Sequence, residues 1–140
     1  MNYLITGGTG LIGSKLIAQL QYEPASQITV LTRNIDKAKR KLPYPNVAMV
    51  TKVTAKHVNE ADIIVNLAGE PIVDKRWNRA QKKKICQSRW NITEQLTKLI
   101  NEVKCPPQLF ISGSAIGIYG RQDDTVITEE FTDFHSEFTF

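Results

Sequence analysis

Residues 6–13 read Thr-Gly-Gly-Thr-Gly-Leu-Ile-Gly, directly after the apolar run Tyr3-Leu4-Ile5 and at the head of a run with apolar residues at Leu11, Ile12, Leu16, Ile17 and Leu20. A strand before the glycines and an amphipathic helix after them raise a dinucleotide site well above what three glycines alone would suggest. Gly7 allows a sharp turn out of the strand, Gly10 has no Cβ to hold a pyrophosphate off the backbone, and Gly13 lets the helix pack tightly on the sheet. Phosphates would then rest on the free N–H groups and positive end of the helix. The predicted dinucleotide loop therefore comprises Gly7, Thr9, Gly10, Leu11, Ile12 and Gly13. The competing reading is a structural turn only, since glycine-rich turns join strands to helices in many folds.

Downstream, strand and helix patterns alternate. Ile28–Leu31 is rich in β-formers, Asp36–Leu42 reads as a basic helix, and Val47–Thr51 is a strand candidate set off by Pro43 and Pro45. Ile63-Ile64-Val65-Asn66-Leu67-Ala68 is nearly continuously apolar and stops at Gly69, as expected of a central parallel strand buried on both faces. A long helix is predicted from Asn78 to about Val103, with Ile85, Ile92, Leu96, Leu99, Ile100 and Val103 at helical spacing, ended by Pro106-Pro107. Leu109-Phe110-Ile111 forms the last strand and leads into Ser112-Gly113-Ser114. Right-handed crossovers between such units give an α/β fold: a doubly wound parallel sheet of Rossmann type, strand order 3-2-1-4-5. The whole of residues 1–140 reads as one domain.

The charge of +4 concentrates in Arg33–Lys41 and Lys75–Lys84. Solvated helix faces and a phosphate-bearing ligand account for it more simply than nucleic acid does. Gly7 to Gly10 interrupts any signal-peptide core, no stretch is long enough to span a bilayer, and Cys86 and Cys105 sit where free thiols fit better than a disulfide. The expected setting is the reducing cytoplasm, with no membrane partner. His57 and His135 lack ligand-spaced neighbours, so no metal site is expected. Trp77 and Trp90 are expected to pack rather than stack on bases.

An Asp or Glu about 20 residues past the glycines holds the adenosine ribose of NAD, whereas an Arg there suits the 2′-phosphate of NADP. Here that position reads Leu31-Thr32-Arg33-Asn34, with no carboxylate before Asp36. A guanidinium can pair with phosphate through two hydrogen bonds, so Thr32 and Arg33 favour NADP over NAD. The plainer alternative is that Arg33 only begins a solvated basic helix. Lys37 and Lys39 would add long-range attraction without specific contact.

Five segments together carry a family resemblance: TGGTGLIG, LTRN, NLAGEPI, DKRWNRAQKKKICQSRWNIT and FISGSAIGIYG. They resemble the epimerase family of atypical, extended short-chain dehydrogenases/reductases, over essentially the whole chain. The resemblance implies that Leu67-Ala68-Gly69-Glu70 passes the nicotinamide-side ribose, and that Asn91 supports a proton-relay water. It aligns Ser114, ahead of Ser112, with the serine that hydrogen-bonds the substrate carbonyl or hydroxyl. Arg76 resembles a basic residue that covers cofactor phosphates or an acidic substrate, with a solvated helix start as the plain alternative.

Two departures qualify these implications. The tyrosine–lysine pair of such enzymes, spaced Tyr-x-x-x-Lys, is absent: Tyr119 is followed by Gly120, Arg121, Gln122 and Asp123. Family members are also about twice as long, so the chain resembles an N-terminal half, and the last strands and substrate lobe are expected to be lacking. The polar, acidic and aromatic tail, with Asp123, Glu129, Phe131, Phe134, Phe138 and Phe140, is too short for a second lobe. The leading expectation is the NADP-binding domain of an oxidoreductase or epimerase acting on a small-molecule hydroxyl or carbonyl. Its alternative is a non-catalytic NADP-binding sensor or partner-binding module, and self-association is compatible with either.

Overall fold

In the computed structural model, residues 1–73, 75–120, 122–132 and 134 are described. The expectations for His135, Phe138 and Phe140, and the residue following Gly120, fall outside them. The strands are β1 (Asn2–Thr6), β2 (Gln27–Leu31), β3 (Val47–Val50), β4 (Ile63–Asn66) and β5 (Leu109–Ser112). The helices are α1 (Leu11–Leu20), α2 (Ile35–Lys41), α3 (Ala55–Glu60) and α4 (Arg79–Glu102), with a 3₁₀ turn over Ile116–Tyr119. All strand pairings are parallel and the order is β3-β2-β1-β4-β5, as the alternation predicted.

The period-two geometry of the strands divides their apolar residues between two cores. On one face Leu4 of β1 and Ile64 of β4 pack with Val53, Val58, Ala61 and Leu96, so α3 and α4 cover that side. The next residue along each strand, Ile5 and Val65, faces the other way and packs with Ile17, Ile28, Val30 and Leu42, under α1 and α2. Ten of these side chains, all but Ala61 and Val65, are at most 2% exposed, which identifies β1 and β4 as the buried centre. At the sheet edge, Leu109 and Ile111 of β5 remain 48% and 45% exposed, because only Phe110 turns toward the α3–α4 core.

Helix ends follow local chemistry. Asn34 accepts a hydrogen bond from the Lys37 N–H and starts α2, and Asn78 accepts one from the Gln81 N–H and starts α4, each at 2.8 Å. Helix α3 is absent from the sequence reading. It buries a single residue, Val58, in a polar string, and the Thr54 N–H at its start donates to His57 Nδ1 at 3.1 Å rather than to a glutamate. One buried residue in six leaves no periodicity to detect. The tryptophans also differ from expectation: Trp77 and Trp90 are 41% and 58% exposed. Helix α4 meets the sheet through Leu96, with Ile92, Leu99 and Ile100 beside it, while Trp90 is exposed, and the Trp77 indole N–H is turned to the Ile72 carbonyl at 2.6 Å. Cys86 is buried and Cys105 exposed, both as free thiols.

Candidate functional site at the strand ends

The β1–α1 turn places backbone where a phosphate would need it. Gly7 has φ +69°, and an added Cβ would stand 2.3 Å from the Leu67 carbonyl oxygen. Gly7 is thus required both by its left-handed backbone and by the close approach of the turn to the end of β4. Gly13 is equally constrained, but not against the sheet: its Cβ would meet the Gly7 oxygen at 2.5 Å and the Gly8 Cα at 2.8 Å. The third glycine therefore locks α1 against its own turn. The first α-helical hydrogen bond of α1 runs from the Ser14 N–H to the Gly10 carbonyl at 3.0 Å, and Gly10 supplies no side-chain cap. The N–H groups of Leu11, Ile12 and Gly13 precede that bond and are left without helical acceptors. Leu11 and Ile12 themselves are 78% and 68% exposed. A glycine cradle with free donors at a helix start suits a pyrophosphate.

Behind the turn stands a polar row the sequence reading missed. The register sets Thr6 beside Asn66 and Asn66 beside Ser112, so β1, β4 and β5 all end in a polar residue at one level. The Thr6 hydroxyl donates to Asn66 Oδ1 at 2.6 Å and accepts from the Ala68 N–H at 3.2 Å. Asn66 Nδ2 donates to the Thr93 hydroxyl of α4 at 3.0 Å and to the Ser112 hydroxyl at 3.4 Å. Thr6 and Asn66 are buried, so this network fixes how the ends of three strands and α4 meet. Its signal in the sequence was the polar last residue of each apolar strand.

Leu67-Ala68-Gly69-Glu70 follows directly. Glu70 is only 8% exposed, and its Oε1 receives both Lys84 Nζ and Lys75 Nζ at 3.2 Å. The Lys84 ammonium first, then Lys75, holds the carboxyl below the ordinary carboxylate range despite partial desolvation. The Glu70 N–H donates to the Ser88 hydroxyl at 2.8 Å, and Arg89 Nη1 donates to the Glu70 carbonyl at 3.3 Å. The Glu70 side chain is thus committed to lysines. What the loop leaves for a ligand is the backbone of residues 67–69 beside the small residues Ala68 and Gly69.

The remaining predicted residues are dispersed around this centre. Thr32 and Arg33 follow β2, with Arg33 exposed and the Thr32 hydroxyl bonded to the Asn34 carbonyl at 3.2 Å. Ser114 is exposed two residues beyond β5, whereas the Ser112 hydroxyl is taken up by Asn66. Asn91 is exposed in an open groove of about 320 Å³ that it shares with Lys84 and Ser88, the residues that hold Glu70. The α4 side chain that reaches the strand ends is Thr93. Arg76 is exposed ahead of α4. Tyr119, outside any tyrosine–lysine pair, packs edge-on against Phe131 with centroids 5.6 Å apart and lies near Phe134. No described helix is long and apolar enough to cross a membrane.

A doubly wound sheet with a glycine cradle at its switch point defines a nucleotide-binding Rossmann domain. Residues 3–138 match the NAD dependent epimerase/dehydratase family, and the chain belongs to that family. It is 36% identical over 119 residues to an epimerase family protein of Staphylococcus saprophyticus, covering 84% of this chain and 39% of that protein. The crystal structure of human epimerase family protein SDR39U1 with NADPH superimposes with TM-score 0.64 at 28% identity, over 85% of this chain and 38% of the human one. A Bacillus cereus UDP-glucuronic acid 4-epimerase, crystallised with UDP-glucuronic acid and NAD, shares the fold with TM-score 0.74 at 21% identity, over 94% and 45% of the two chains. The chain spans less than half the length of each of these proteins.

Proposed function

We propose that residues 1–140 form an NADP-binding domain of an oxidoreductase or epimerase that acts on the hydroxyl or carbonyl of a small molecule. The observation that carries this reading is the cradle. Two glycines whose Cβ positions fall within 2.5 Å of backbone oxygens present the unpaired N–H groups of Leu11–Gly13 beside the strand ends. Those groups and Gly10 would hold the pyrophosphate, Arg33 would pair with the 2′-phosphate, and Leu67–Gly69 would border the nicotinamide ribose. NADPH in the human relative supports the choice of phosphate over the NAD of the bacterial epimerase.

When bound, the nicotinamide supplies hydride chemistry. In this reading Ser114, exposed past β5, hydrogen-bonds the substrate oxygen, Asn91 holds a relay water, and Arg76 covers an anionic group. A non-catalytic sensor is the second reading, favoured by the residues after Tyr119, which contain no paired lysine.

Titration of the chain with NADPH and NADH, followed by nicotinamide fluorescence, tests the cofactor. Saturable binding with NADPH preferred is expected, and Arg33→Ala should remove the preference. Absence of binding by either cofactor refutes the whole reading. Equal loss of both on Arg33→Ala refutes the role of Arg33. If NADPH binds but the longer protein turns over nothing in a panel of carbonyls and sugars, the sensor reading replaces the catalytic one.

A further inference from the structure

Helix α2 begins two residues after Arg33, and its last residue turns back to the glycine loop: Lys41 Nζ donates to the Thr9 carbonyl oxygen at 3.1 Å. The contact joins residues 32 positions apart, and it links the helix after β2 to the turn after β1. These two segments flank the place where a Rossmann domain receives the substituent on the adenosine 2′-oxygen.

The acceptor is a neutral carbonyl. It occupies one of three ammonium protons and cancels none of the charge. The ion pairs among the described residues engage Lys56, Lys75 and Lys84, and none of them takes up Lys41 at the rim of the cradle. Its backbone is not free to wander, since the next residue, Leu42, is 2% exposed in the α1–α2 core. Lys37 and Lys39, which the sequence reading considered, are exposed on the same helix without a contact of this kind. A cation tethered at the loop, with two protons unspent, has the chemistry to bind a phosphomonoester.

We propose that Lys41 is a specificity-determining residue of the cofactor site, acting beside Arg33 on the 2′-phosphate of NADP. The proposal rests on the NADP reading above and adds a second cation to it. Arg33 offers a planar fork at the end of β2, and Lys41 a point charge from the loop side. In this proposal each would contact a different oxygen of one phosphate.

The test is to compare Lys41→Met, which keeps the aliphatic stem, and Lys41→Arg, which keeps the charge, with the unaltered chain. Dissociation constants for NADPH and NADH are read by fluorescence, and 2′,5′-ADP against 5′-ADP serves as a competitor pair without nicotinamide. Loss of one charge-assisted contact at an exposed site predicts NADPH and 2′,5′-ADP binding weakened roughly three- to tenfold by Lys41→Met. NADH and 5′-ADP should stay within about twofold, and Lys41→Arg should retain most of the preference.

Equal weakening of all four ligands by Lys41→Met overturns the proposal, because it shows Lys41 merely holding the Thr9 loop. Unchanged NADPH affinity also overturns it. An unaltered chain that binds NADPH and NADH equally removes the 2′-phosphate reading, and Lys41 with it, while leaving the dinucleotide cradle intact. A chain that binds neither removes the cradle reading itself.

Discussion

Gly7→Ala tests whether the glycine turn is built for structure and for ligand at separable positions. Alanine at φ +69° costs about 1–2 kcal/mol in backbone strain. Its Cβ would also lie 2.3 Å from the Leu67 oxygen, more than 1 Å inside the ordinary contact distance of 3.4 Å and above. Relief requires the β1–α1 turn and the end of β4 to separate. That movement strains the Leu67 N–H bond to the Thr6 carbonyl and the Ala68 N–H bond to the Thr6 hydroxyl, both 3.2 Å. Two such bonds are worth about 1 kcal/mol each, so the total loss is roughly 3–4 kcal/mol. In urea unfolding followed by circular dichroism, with a slope of about 2 kcal/mol/M, the midpoint should fall by about 1.5–2 M. Gly10→Ala is the matched control, since its Cβ would meet only the Gly7 oxygen, at 3.2 Å. It should cost about 1 kcal/mol, the usual difference between glycine and alanine at a helix N-cap, yet weaken dinucleotide binding at least tenfold. A Gly7→Ala midpoint equal to that of the unaltered chain would refute the steric argument. A Gly10→Ala variant that binds normally would refute the assignment of the phosphate face.

Other outcomes follow from the polar residues behind the turn. Asn66→Leu keeps the volume but strands the hydroxyl proton of the fully buried Thr6, whereas Ser112 is exposed enough to rehydrate, so unfolding free energy should drop by about 2–3 kcal/mol in the same urea assay; no change would mean the network is dispensable. Because Glu70 titrates below its usual 4.5, its stabilisation should be complete above that pH and be lost as pH falls through the lowered value. Glu70→Gln should therefore be less stable than the unaltered chain at pH 7, with the two curves converging below pH 4.5. Curves that stay parallel down to acid pH would show that the carboxylate charge contributes nothing. Gly69→Ala should disturb the same loop, because a Cβ there would come 2.9 Å from the Arg89 guanidinium carbon; an unshifted midpoint would show that Arg89 swings aside freely.

The sheet was legible in the sequence because its strands are short apolar runs, and β4 announces its central place by a nearly continuous apolar run, although α3, between β3 and β4, has no period to read. Leu4 and Ile5 show the limit of that reading. Both look equally apolar, yet they face opposite cores, which only the pleat assigns. The cradle was legible because glycine is the one residue whose absence of a side chain is itself a signal. Contacts made at long sequence distance were not. Glu70 with Lys84 and Lys41 with Thr9 are common polar residues that nothing in their local context marks until the fold brings them together, and Thr6 with Asn66 is marked only by a polar residue closing each apolar strand. Gly13 was recognised for a different reason than the one the structure gives. Packing against the turn, not the sheet, is what forbids a side chain there.

The cradle is expected to seat the phosphates of a dinucleotide on the N–H groups of Leu11, Ile12 and Gly13. Amide chemical shifts measured by NMR during addition of NADPH to the isotopically labelled chain test it residue by residue. The largest, saturable shifts are expected at Gly7–Gly13, with further shifts at Thr32, Arg33 and Leu67–Gly69. Shifts confined to α4, or none at saturating NADPH, would contradict it.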